Sequence, residues 1–370
     1  MKNTLSMLLI FVLAFSGCAK TESAKDSRTT DATETKIESK EETSESTTEA
    51  TTTETTVETT KETTEAPAPI EFNPHVYSKI LSDEFVKEEW WESLYNMIDA
   101  IRAGEDSFKC SDEDAYAWCT DSVTTSELFP PACTLVEGDG FENGVAKLKY
   151  TMDKEEFLKK EKAFEEEITR MLNEAVRSDY SDFEKIFGLY DYMTKECVYQ
   201  HISDQNETFD TFSTYACLMS KNGICTEFAG AYAYLLLQVG VDALEIGEQT
   251  QMCHAWTYVS LNGQGYHVDV TWGLRESSPD GSLVLKYLLE TDDERIADGM
   301  DVPNADLSLV NYWCLIHNKE YDMSKYRATD TTFTPLHNEV SFEGIDMENN
   351  AIKYIPMHGS NEWTLTYEEQ

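Results

Sequence analysis

"NGICTEFAGAYAYLLLQVG", residues 222–240, sets a single cysteine, Cys225, at the junction between a turn and an apolar run. Phe228, Tyr232, Leu235, Leu236 and Val239 recur at intervals of three and four, which predicts a buried helix. Ala229, Gly230 and Ala233 beside them are small enough for another element to pack closely. Cys225 falls in the first turn of that helix, where unpaired N–H groups and the helix dipole favour an anion. That suits a nucleophilic thiolate. Free cysteines are more often buried and inert, so the position needs partners before it means chemistry.

The partners are downstream. "HAWTYVSL" (254–261) and "GYHVDVTW" (265–272) read as two strands joined at Asn262-Gly263, a dipeptide suited to a two-residue turn. That turn sets Leu261 opposite Gln264 and Trp256 opposite Asp269, and leaves His254 one diagonal step from Asp269 on the same face. A longer loop would separate the two. A thiolate attacks an amide or ester carbonyl, a histidine protonates the leaving amine, and a carboxylate orients the ring. Cys225, His254 and Asp269 fit these roles in that order, with no cofactor and no metal. Cys225, Cys253, His254 and Asp269 do not have the spacing of a zinc site.

Together, "NGICTEFAGAYAYLLLQVG", "HAWTYV" and "YHVDVTW" resemble the Cys, His and Asp motifs of the transglutaminase-like superfamily, a relative of the papain fold. "YSDFEKIFGLYDYMTKECVY" is similar to the helices before the Cys motif, and "LKYLLETDD" to the segment after the Asp motif, so the likeness covers roughly residues 179–293. It implies a thiol enzyme acting on amide bonds, in a superfamily that includes cross-linkers, peptidases, amidases and inactive binding modules. Hydrolysis is the preferred reading. The resemblance also implies an oxyanion hole using the Cys225 N–H, with Tyr199 and Tyr215 as candidates for the second donor. Trp256 and Trp272 are expected to wall the substrate cleft. His267 reads as a surface histidine and Cys253 as a core residue. Thr257 stands where the family often has Asn, and the loop 247–252 is short; both are expected to tune substrate fit.

The whole reads as an α+β domain, helices packed on an antiparallel sheet with a transglutaminase-like, papain-like core and an N-terminal helical region. Residues 71–152 are mainly helical: 76–103 form one amphipathic helix, and a second follows with Ser111 as its cap. "GVAKLKYTM" alternates as a strand does. The catalytic domain spans 153–300, opening with a long helix in "KEEFLKKEKAFEEEITRMLNEAVRS" and another after Ser181. Residues 301–370 form a β-rich extension.

Residues 1–18 carry Lys2 and "LLIFVLAF", of signal-peptide length, and end "FSGC". This resembles a bacterial lipobox and implies cleavage before Cys18 and its acylation. Residues 19–70 are Thr/Glu-rich and nearly free of large apolar groups, so they read as an unfolded tether with a mean reach of roughly 40 Å. The protein is therefore expected outside the cytoplasm, lipid-anchored to the outer face of the cytoplasmic membrane and touching it only through that anchor. Residues 71–370 hold 22 basic and 57 acidic side chains, a surface that repels nucleic acid. The expected partner is a protein or peptide substrate, including one associated with the cell wall.

Overall fold

The computed structural model describes residues 67–133, 135–200, 213–317, 319–338, 340–347, 349–357 and 359–367. The expected signal segment, Cys18 and the expected tether as far as residue 66 lie outside them. Pro67–Gln370 is one compact unit.

The run 76–103 divides into α1 (Lys79–Glu84) and α2 (Glu88–Arg102), not one helix. The Val86 N–H closes on the Leu81 carbonyl, ending α1 in a tight turn that buries Phe85 and Val86. β1 (Ser107–Lys109) precedes α3 (Glu113–Cys119). The cap of α3 is Asp112, whose Oδ1 accepts the Ala115 N–H at 2.8 Å, not Ser111. The Ser111 amide donates to Ser93 Oγ at 3.0 Å, which fixes that residue outside the helix. After α4 (Ser122–Leu128), β2 (Val136–Glu142) and β3 (Val145–Tyr150) complete an antiparallel sheet of order β1-β3-β2. Residues 71–152 thus combine helices with a small sheet.

α5 (Lys154–Ala175) and α6 (Asp182–Glu196) follow, the latter opened by a reciprocal cap between Ser181 and Glu184. β4 (Val198–Tyr199), α7 (Thr214–Ser220) and β5 (Asn222–Gly223) lead into α8 (Cys225–Gln238). Next come β6 (Ala243–Glu248), β7 (His254–Leu261), β8 (Gln264–Val268), α9 (Val270–Gly273), α10 (Asp292–Ala297), β9 (Asp306–Leu307) and α11 (Ser308–His317). The central sheet is antiparallel with order β8-β7-β6-β9, and α8 packs on β6 and β7. β10 (Val340–Asp346), β11 (Ala351–Pro356) and β12 (Trp363–Thr366) make a third antiparallel sheet. Apolar side chains from Val76 to Tyr367 join one continuous core, crossing both 152/153 and 300/301. Helices on antiparallel sheet, the α+β arrangement, is the architecture observed.

Candidate active site

α8 is buried on almost every side, as expected of a helix apolar around its circumference. Its start is fixed by β5, which pairs in parallel with β4, Tyr199 beside Gly223. Ile224 is the extended residue before the first turn, and its N–H donates to Glu227 Oε2 at 2.8 Å. Ile224 has no side-chain acceptor to return, so it leaves the N–H groups of the first turn uncapped. Cys225 is the first residue of that turn and is 7% exposed.

β7 is stitched to α8 by Thr257, whose Oγ1 donates to the Ala229 carbonyl at 3.0 Å, while Ala229 and Ala255 pack on Cys225. Thr257 is fully buried. It fixes the strand to the helix beside Cys225. The β7–β8 turn is the two-residue kind: Leu261 pairs with Gln264, and Asn262 and Gly263 both have positive φ, 53° and 75°. The register runs back to Thr257 opposite Val268. Asp269 then leaves the strand and caps α9, its Oδ1 accepting the Trp272 N–H at 3.0 Å.

The geometry brings Cys225, His254 and Asp269 together. His254 Nε2 lies 2.7 Å from Asp269 Oδ2, and Cys225 is near enough to the same imidazole to help raise it. Burial opposes a charge on His254, but Asp269 and then Cys225 outweigh it and raise the ring to about 9. Burial likewise opposes ionisation of Asp269, yet His254, Arg295 and the α9 cap bring it down to about 2. At neutral pH the pair is imidazolium and carboxylate.

Arg295, from α10, is the feature the sequence reading missed. Its side chain is inaccessible; Nη2 donates to Asp269 Oδ2 at 2.9 Å and Nη1 to Glu290 Oε2 at 3.2 Å. The guanidinium also lies 4.8 Å from the Trp256 ring and 5.0 Å from that of Trp272. It reaches Asp269 because residues 287–290 run beside β8, with the Asp269 N–H donating to the Tyr287 carbonyl and His267 and Glu290 exchanging both backbone bonds. A lone arginine 26 residues downstream carries no spacing signal toward Asp269.

Other expected residues stand differently. Trp256 is 1% exposed and belongs to the floor of the site, not to an open cleft wall; its Nε1 donates to His267 Nδ1 at 2.9 Å. Trp272 is only half-buried and stacks on His254 at 5.1 Å between ring centres. His267 is not on the surface: fully buried, it bonds Asp292 Oδ1 through Nε2 at 2.8 Å, and burial lowers its basicity against the pull of Asp292. Cys253 is not a core residue. Half-buried at φ 51°, it sits before β7 and its Sγ donates to the Gln249 carbonyl at 3.5 Å. The preceding loop is organised by Glu248, which accepts N–H groups from Thr250, Gln251 and Met252 at 2.6–2.9 Å. Of the two tyrosines, Tyr199 lies beside Phe228 of α8, whereas Tyr215 stacks on Phe164 of α5. Among the described residues no group of three or more His, Cys, Asp or Glu is arranged to hold a metal ion, and no helix is long and apolar enough to cross a membrane.

Residues 169–270, from α5 to the first residue of α9, match the family model described as the transglutaminase-like superfamily. This stretch is a transglutaminase-like domain. It contains Cys225, His254 and Asp269, while Arg295 lies beyond it. No curated protein matches the chain in sequence. Among solved structures, a candidate cysteine protease from Cytophaga hutchinsonii aligns at 12% identity over 42% of this chain and 64% of its own, with a TM-score of 0.24. A TGase aligns at 16% identity over 37% of this chain and 45% of its own, with a TM-score of 0.26. This chain spans less than two thirds of either structure, and the assignment of the transglutaminase-like domain rests on the match over 169–270.

Proposed function

We propose that the protein is an extracytoplasmic thiol enzyme, held at the membrane through an acylated Cys18 and the 19–70 segment, that hydrolyses amide bonds in proteins or peptides. The observation that carries this reading is the file of Cys225, His254 and Asp269, with a buried imidazolium between thiol and carboxylate.

In this mechanism Cys225 Sγ, as thiolate, attacks the substrate carbonyl carbon, and the developing oxyanion faces the Cys225 N–H at the start of α8. The C–N bond breaks as His254 Nδ1 gives its proton to the leaving nitrogen, leaving a thioester on Cys225. Neutral His254 then takes a proton from water, the hydroxide adds to the thioester, and the C–S bond breaks to release an acid and the thiolate. Asp269 holds the ring throughout. An amine in place of water would give a new amide and make the protein a cross-linker. Water is favoured as the acceptor in excess wherever solvent reaches the thioester.

A peptide library supplied with a labelled primary amine tests both choices. Wild type should release new termini in excess of amine incorporation, and Cys225→Ala should do neither. Dominant incorporation would replace hydrolysis by cross-linking; no turnover above Cys225→Ala would leave a binding module.

A further inference from the structure

The Asp269 carboxylate is wholly inaccessible, and an isolated carboxylate in such a place takes up a proton. His254 cannot be its permanent counter-ion, because in the thiol mechanism the imidazole gives its proton away once per acyl transfer. Arg295 cannot do so. Its charge is fixed, its Nη2 shares Oδ2 with His254, and its faces are taken by Trp256 and Trp272, which leaves the fork little freedom to rotate.

The other groups that face Asp269 do not compensate it. Tyr190 on α6 and Tyr287 are both phenols held neutral, chiefly by burial. Glu290 is raised to about 9 by burial and by the neighbouring Asp298 and Asp269, against the opposing pull of Arg295, and its 3.2 Å contact with Nη1 is longer than the 2.9 Å bond from Nη2 to Asp269, so it is the weaker claimant on the guanidinium. Asp298 is itself paired with Lys286 at 2.6 Å. The guanidinium charge is therefore matched to Asp269. A buried ion pair is a poor source of stability beside apolar packing of the same volume, which directs attention to what the charge does.

We propose that Arg295 is a positioning residue: it holds Asp269 as a fixed anion in one orientation while the proton moves between Cys225, His254 and the leaving group. This rests on the thiol-enzyme reading. Arg295 touches neither the thiol nor the substrate and acts through Asp269.

The test follows the rate at which iodoacetamide alkylates Cys225 in the intact chain, by mass spectrometry, as pH is varied. Without the guanidinium Asp269 takes up a proton more readily, and a neutral Asp269 no longer supports the imidazolium that accompanies the thiolate. In Arg295→Met the midpoint of the profile should rise by about one pH unit or more, with part of the shift recovered in Arg295→Lys. A folded Arg295→Met with an unmoved midpoint overturns the proposal, since a purely structural arginine would change the melting temperature alone. Should Arg295→Met fail to fold, His254→Ala decides, read by carbon-13 NMR of the Asp269 carboxyl, assigned through Asp269→Asn. The carboxyl should titrate at or below about 4 without its imidazole partner; a midpoint above that shows that His254, not Arg295, kept it charged. Wild-type Cys225 reacting no faster than the other cysteines would instead sink the thiol-enzyme reading, and the carboxyl titration would still report on Arg295.

Discussion

The hydroxyl of Tyr190 fills the space that a β-carbon on Gly273 would need, and a 2.7 Å hydrogen bond to the Val284 carbonyl keeps it there. Gly273 closes α9 one residue after Trp272, whose ring lies on His254. Any side chain at 273 must displace either the phenol or the short helix that Asp269 caps.

Gly273→Ala is therefore expected to destabilise the fold by about 1–3 kcal/mol and to slow alkylation of Cys225. Denaturant unfolding measures the first effect. A change within about 0.5 kcal/mol would mean that Tyr190 moves aside freely.

Two histidines in neighbouring strands should give the stability curve opposite slopes. His254 is raised in the fold, so its contribution is complete below about 6.5 and is lost as pH rises toward about 9. His267 is lowered, so the fold loses stability as pH falls below about 6.5, where the unfolded chain takes up a proton that the buried ring resists. Thermal melts across pH should show His254→Gln flattening the alkaline limb and His267→Gln the acid limb. The same limb responding to both variants would contradict these assignments.

Asp269→Asn strips the buried guanidinium of Arg295 of its shorter ion pair and leaves it on Glu290 alone, a loss of up to about 3–5 kcal/mol. Adding Arg295→Met removes the stranded charge. The double variant should then be more stable than Asp269→Asn alone, a coupling of about 1 kcal/mol or more in a double-mutant cycle. Additive losses would show that the two side chains do not share an ion pair.

Thr257→Val keeps the shape of the side chain and removes the bond to the Ala229 carbonyl. The expected cost is about 0.5–1.5 kcal/mol, with slower alkylation because β7 and α8 are no longer held together beside Cys225. Unchanged stability and an altered peptide preference would return Thr257 to the substrate-tuning position its sequence suggests.

The hairpin and α8 were legible because each rests on a local rule. Asn262-Gly263 accepts positive φ and so sets the register of β7 on β8, and the apolar spacing after Cys225 marks a buried helix. Residues whose position depends on distant elements were not legible. His267 alternates with its strand like any half-exposed residue; the segment 287–290, Asp292 and the ring of Trp256 cover it. Trp256 lies too deep for a cleft wall because Arg295 packs over its ring, and Arg295 itself sits in an acidic stretch that reads as a solvated helix. The break between α1 and α2 leaves no mark in the sequence because Phe85 and Val86 fit the apolar period on either side of it.

A two-residue turn has no slack. One amino acid inserted within β7 and not taken up by a bulge would swing His254 to the far side of the sheet from Asp269, and one added at the turn would draw the two apart along the ladder. The segment 249–253, anchored by Glu248 and open to solvent, is where residues can be added or removed with the least disturbance to the register behind it.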